Sequence, residues 1–144
     1  MEGTYITKSP AETKRLAATI TKELPLNNVV GLIGNLGTGK TAFTQGFAKA
    51  MGIKEAVGSP TFKLISEYEG VKSWLYHIDC YRLKNSQQFI NIGGDDYLAP
   101  VNGLTLIEWA DIIADILPIN SVIINFNRIS GKTEYREIII SRHQ

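Results

Sequence analysis

With a single cysteine, Cys80, in 144 residues, the chain can form neither an internal disulfide nor a cysteine-based metal site. Long apolar runs are missing, and none approaches the ~20 residues a membrane-spanning helix needs. An excess of one charge is missing too: 15 Lys and Arg stand against 14 Asp and Glu, for a net charge of +1. The signs are interspersed, so no basic block marks an independent footprint for a polyanion. Met1-Glu2-Gly3-Thr4-Tyr5 has neither the basic nor the apolar region of a signal peptide. Repeats, linkers and low-complexity tracts are absent as well. What remains is an ordinary globular composition, 44% apolar and 20% charged. The expectation is one cytoplasmic domain over residues 1–144, with no membrane contact.

Residues Gly34 to Thr41 read Gly-Asn-Leu-Gly-Thr-Gly-Lys-Thr. This is G-x-x-x-x-G-K-T, the phosphate-binding loop of P-loop NTPases. Its glycines let backbone N–H groups converge on a polyanion as a nest. Lys40 supplies a point charge toward the β- and γ-phosphates, and Thr41 a hydroxyl for Mg²⁺. The apolar run Val29-Val30-Gly31-Leu32-Ile33 before the loop reads as a buried parallel strand. After it, Phe43, Phe47, Ala48 and Met51 recur at helical spacing, with Gly52 as a stop. Strand, loop and helix in this order aim a helix N-terminus at the phosphates.

Elsewhere the pattern predicts a strand at 4–7. A helix follows from a Ser9-Pro10-Ala11-Glu12 capping box to about Leu24, burying Leu16, Ile20 and Leu24. Strands at 63–68 and 73–79 flank a turn at 69–72 as an antiparallel hairpin. Two short helical pieces are expected within 85–98, a strand at 104–108 and a helix at 110–117 stopped by Pro118. A second hairpin, strands 122–128 and 135–140, turns around Ser130-Gly131-Lys132. The fold class is therefore α/β: a P-loop NTPase domain with a mixed central sheet, helices on its faces and a C-terminal antiparallel hairpin.

A P-loop NTPase needs a further carboxylate near its magnesium, usually at the end of an apolar strand. Asp79 ends one such strand and Glu108 another. One could hold Mg²⁺ while the other orients the attacking water. Alternation puts His77, Asp79 and Tyr81 on one face. Taken alone, His77 reads as a structural histidine, Cys80 as an apolar filler, Arg82 as half of a surface ion pair and Trp109 as core packing. Thr61, in the Ser59-Pro60-Thr61-Phe62 turn, reads equally as a γ-phosphate sensor or as part of an ordinary turn.

The ordered set Gly34–Thr41, Ser59-Pro-Thr-Phe62, His77-Ile-Asp-Cys-Tyr-Arg82 and Ile107-Glu-Trp109 resembles one family. It is the bacterial TsaE ATPases of tRNA threonylcarbamoyladenosine synthesis. The likeness runs from the first helix to Arg136. It implies that Lys40 and the loop residues Asn35, Leu36, Gly37, Thr38 and Gly39 hold the phosphates of ATP. Thr41 and Glu108 would hold Mg²⁺. Asp79 would be needed for hydrolysis, and Thr61 would belong to a switch-like loop. Trp109 would lie near the nucleotide, and Thr13 and Arg136 would flank it. It also implies an ATPase that is weak alone and stimulated in a complex with the TsaD and TsaB proteins, with tRNA contacted mainly through them. Two departures stand out. Asn35 occupies a position where the family usually has Asp, and Asn85 to Pro100 carries Gln87-Gln88-Phe89 and Asp95-Asp96 where the family is richer in Glu and Leu.

Two other readings compete. A small-molecule kinase would need an acceptor pocket and an Arg-bearing lid, and no Arg-rich insert follows the P-loop. A non-catalytic, nucleotide-gated assembly module would differ only in whether hydrolysis matters. A GTPase would need Asn-Lys-x-Asp, which the sequence does not contain.

Overall fold

In the computed structural model, which describes residues 1–35, 37–58 and 64–144, seven strands join into one sheet in the order β1-β7-β6-β2-β5-β4-β3. These are β1 (Gly3–Thr7), β2 (Asn28–Ile33), β3 (Ile65–Glu69), β4 (Trp74–Asp79), β5 (Gly103–Glu108), β6 (Val122–Ile129) and β7 (Lys132–Arg142). The centre is parallel, with β2 between β6 and β5, and β4 beyond β5. Antiparallel pairs close both edges: β3 on β4, β7 on β6, and β1 on β7. The sheet is mixed, as expected, and the C-terminal hairpin is present.

The two faces carry different cores. On one lie helix α1 (Pro10–Glu23) and helix α2 (Lys40–Ala50), packing Ala17, Ile20, Phe43 and Phe47 onto Val30, Leu32, Leu75, Leu104 and Leu106. Gly46 of α2 meets α1 so closely that a Cβ there would stand 2.5 Å from the Lys14 carbonyl. A larger residue would push the helices apart. On the other face lie α3 (Ser86–Asn91) and two 3₁₀ turns, Gly94–Tyr97 and Ala110–Ile113. They cover Val29, Ile78, Ile107 and Ile123. Cys80 is fully buried among them, the filler role expected of it.

The α1 cap forms from the expected residues with one change of partner. Ser9 Oγ accepts from the Glu12 N–H at 3.2 Å, but Glu12 reaches back to the Lys8 N–H at 3.0 Å, one residue before the cap. The predicted helix at 110–117 is cut to the 3₁₀ turn. Its bonds are mostly i to i+3, such as Ile112 N–H to the Trp109 carbonyl, because a segment this short cannot offset the cost of nucleating a full helix. Strand β4 stops at Asp79, so Tyr81 lies in a turn and not on the strand face with His77. Arg82 is exposed and has no ion pair among the described residues. Ser59 to Lys63, with the expected switch residue Thr61, and Leu36 of the P-loop lie outside the described residues. No helix among those described is long and apolar enough to cross a membrane.

Candidate active site

Strand parity decides what faces α2. Leu75 of β4 and Leu104 and Leu106 of β5 pack under α1 and α2. With a side-chain period of two, His77, Asp79 and Glu108 point to that same face. The two strands are parallel and in register, with Asp79 directly opposite Glu108. Both end there, so the carboxylates meet at the C-terminal edge of the sheet, where open α/β sheets bind ligands.

The P-loop leaves β2 at the same edge. Gly39, at φ 101°, hands the chain directly to Lys40, the first residue of α2. The helix has no side-chain cap and no acidic residue in its first turn, which suits an anion. Thr38 closes the loop by donating its hydroxyl hydrogen to the Asn35 carbonyl at 2.5 Å. Arg136 of β7 donates Nη2 to the Gly37 carbonyl at 3.1 Å. The buried Arg136 Nε has no partner among the described residues, an orphan donor beside the loop. Helix start, glycine turn and orphan donor together fit a bound polyphosphate.

Lys40 is 5% exposed. Its Nζ donates to the Gly34 carbonyl at 2.5 Å and lies 3.9 Å from the Trp109 ring centroid. Burial pushes the amine's pKa down, while Glu108, Asp79 and Asp111 pull it back up. Trp109 adopts φ 58°, ψ 42°, the left-handed region that a bulky residue rarely enters. This turn immediately follows Glu108 and places the indole over Lys40 and against the Tyr81 ring, centroids 5.1 Å apart.

Glu108 Oε2 is 2.7 Å from His77 Nε2, and both side chains are buried. Asp79 Oδ1 accepts from the Tyr81 N–H at 2.9 Å. Burial raises the Asp79 carboxyl pKa, and Glu108 adds to the rise. The Tyr81 hydrogen bond, His77 and Lys40 oppose it.

Gly37, Gly39, Lys40, Thr41, Asp79, Tyr81, Glu108, Trp109 and Arg136 line one cleft of about 420 Å³. A cleft of about 450 Å³, lined by Leu24, Leu26, Lys49, Val71 and Lys72 among others, contains none of these residues. Most of the expected site is thus brought together. Among the described residues, Thr13, Asn35 and Thr38 are not on the cleft lining; Thr13 is buried on α1, its hydroxyl 2.7 Å from that of Thr7. Thr7 pairs with Arg136 in the sheet, so Thr13 stands behind that arginine and does not line the cleft. Asn35 is exposed and contributes its backbone carbonyl. Sequence reasoning missed Arg128, whose guanidinium lies against Gly37. It lies opposite Arg136 in the hairpin register, which no local motif reveals.

Among the described residues no group of three or more His, Cys, Asp and Glu could hold a metal unaided. Thr41 and Glu108, both on the cleft, could share a Mg²⁺ with phosphate oxygens and water, the usual mode for this ion.

The profile of the family described as "Threonylcarbamoyl adenosine biosynthesis protein TsaE" matches residues 7–138. The tRNA threonylcarbamoyladenosine biosynthesis protein TsaE of Bacillus subtilis is 41% identical over 112 residues, covering 78% of this chain and 69% of that one. The protein of the same name from Treponema pallidum is 35% identical over 136 residues, covering 94% and 98%. A crystal structure of Bacillus subtilis YdiB superposes with a TM-score of 0.82 at 34% identity, covering 100% of this chain and 87% of that one.

Proposed function

The chain belongs to the TsaE family of tRNA threonylcarbamoyladenosine biosynthesis, and from that premise we propose that it is an ATP-binding, ATP-hydrolysing subunit that works in the cytoplasm with the TsaD and TsaB proteins. The carrying observation is the convergence on one cleft of the α2 N-terminus, Lys40, Thr41, and the paired Asp79 and Glu108. Phosphoryl transfer asks a protein mainly for positioning and for charge on the transferring oxygens, and these residues supply both.

The loop amides and Lys40 bind the triphosphate. Thr41 and Glu108 would hold Mg²⁺, which neutralises charge on the β- and γ-phosphates when bound. Asp79 positions the attacking water and draws its proton as the bond to the γ-phosphorus forms and the bond to the leaving oxygen breaks. A carboxyl whose pKa is raised by burial is a better base than a solvated one. Arg136 and its orphan Nε flank the nucleotide from the hairpin.

Phosphate release measured with and without TsaD and TsaB tests the reading. Stimulated release that disappears in Asp79→Asn supports it. Complex formation and tRNA modification that persist unchanged in Asp79→Asn would favour the nucleotide-gated assembly module.

A further inference from the structure

Resting on the Mg·ATP reading above, we propose that His77 is a positioning residue that aims Glu108 at the nucleotide's magnesium. Its side chain is 0% exposed, so it does not lie in the cleft and cannot meet the substrate. An ionised carboxylate accepts and does not donate, so a metal-binding Glu108 takes the hydrogen of Nε2 across the 2.7 Å contact. That bond occupies Oε2 and orients the Glu108 carboxylate, leaving Oε1 without a hydrogen bond among the described residues.

The sheet geometry makes this a diagonal brace. His77 pairs in register with Leu106, and Glu108 with Asp79. The contact therefore runs two residues along β5, on the face turned toward α2. His77 also borders a small space together with Thr41, Thr44 and Glu108. One side chain thus borders the same space as the strand end that carries Glu108 and the helix turn that carries Thr41. Nδ1 has no partner among the described residues. Among the described residues, the one directed bond of this side chain goes to the carboxylate. A glutamate has three side-chain torsions to fix, and an unbraced one loses metal affinity through that freedom.

The test is a binding measurement, with no turnover involved. Affinity for a fluorescent non-hydrolysable ATP analogue is measured in EDTA and then across a Mg²⁺ titration, using the full chain. His77→Leu fills the space without a donor, and His77→Gln returns an N–H near the Nε2 position. Both variants are expected to bind the analogue in EDTA as the wild type does. His77→Leu should need about 10- to 100-fold more Mg²⁺ for the same gain in affinity, and His77→Gln should recover most of that loss. The proposal is overturned if His77→Leu keeps the wild-type Mg²⁺ dependence. It is equally overturned if affinity falls as much in EDTA as in Mg²⁺, which is a packing effect. Should His77→Leu not fold, His77→Gln against His77→Asn, whose amide reaches only the Nδ1 position, makes the same comparison. A wild-type protein indifferent to Mg²⁺ would overturn the metal reading itself, and it would be recognised before any variant is made.

Discussion

The Lys40 ammonium lies 3.9 Å from the centre of the Trp109 ring while hydrogen-bonded to the Gly34 carbonyl of its own loop. The lysine is thereby folded back onto the protein. A triphosphate must draw it away from both contacts, which it can do because a charge-assisted bond to phosphate is stronger than one to a neutral carbonyl. Lys40→Ala should weaken ATP binding on the order of 10- to 100-fold, the range for one hydrogen bond to a charged group. The fold should survive, because the variant removes a buried amine whose charged form burial disfavours. Thermal melting with and without ATP checks this: at the same ATP concentration the midpoint should rise less in the variant than in the wild type.

The same contact makes Trp109 a reporter. Moving the ammonium off the indole changes the field at the ring, so ATP should alter tryptophan emission. Trp74 lies at the start of β4, at the far end from Asp79, and should contribute a constant background. Trp109→Phe should abolish the ATP-dependent change. An equal response in Trp109→Phe would show that the change does not arise at Trp109 and would refute its use as a reporter.

The two carboxylates should separate in their effects. Asp79→Asn should bind Mg·ATP normally while partner-stimulated turnover falls roughly 10²-fold or more, the usual size of a positioned base. Glu108→Gln should instead raise the Mg²⁺ concentration required for activity. Steady-state rates across a Mg²⁺ series distinguish them, and a reversed pattern would exchange the roles.

Much of this site is legible in the sequence because its parts are local. The P-loop is a contiguous string, and each carboxylate ends an apolar strand, so G-x-x-x-x-G-K-T, Asp79 and Glu108 are found without knowing the strand order. Period-two alternation even places His77 with Asp79. What stays hidden is long-range. The His77–Glu108 bond joins residues 31 apart and depends on the parallel register of β4 and β5. The packing of Arg128 against Gly37 depends on the β6–β7 hairpin lying beside β2. The left-handed turn at Trp109 contradicts the local propensity of a tryptophan, so tertiary packing alone sets it. The β1 edge pairing with β7 is likewise a contact between the two ends of the chain.

Asp79 should also give stability a defined pH dependence. Its carboxyl pKa is raised in the folded state, first by burial and then by Glu108. The folded protein thus takes up this proton at a higher pH than the unfolded chain does. The charged form costs stability above the folded value, and the cost disappears as pH falls below the unfolded value. Asparagine imitates the neutral form and can still accept the Tyr81 N–H. In metal-free and nucleotide-free buffer, Asp79→Asn should therefore melt above the wild type at neutral pH. The gap should close on acidification through the carboxylate range. A gap that is constant with pH, or of opposite sign, would mean that Lys40 and His77 outweigh burial at this position.

The isolated chain should be a slow ATPase that the TsaD–TsaB pair accelerates. The cleft is open, and its mouth carries Tyr81, 53% exposed, beside Asp79. The proposed phosphate cradle lies within the chain itself, but Arg136 is committed to backbone carbonyls through both terminal nitrogens. An arginine so engaged binds the loop more readily than it follows charge developing on a transferring phosphoryl group, and many P-loop proteins receive that charge in trans. A partner seated on the mouth would exclude water from Asp79 and strengthen every electrostatic term in the cleft. The net charge of +1 also predicts that tRNA is held mainly by those proposed partners, since phosphate neutralisation needs a basic surface. Phosphate release by the chain alone, then with TsaD–TsaB, then with tRNA added, should rise chiefly at the second step. Tyr81→Ala should blunt that rise while leaving ATP affinity intact. Full-rate hydrolysis by the isolated chain, or repeated rounds of tRNA threonylcarbamoylation with this chain left out, would refute the partner-dependent role.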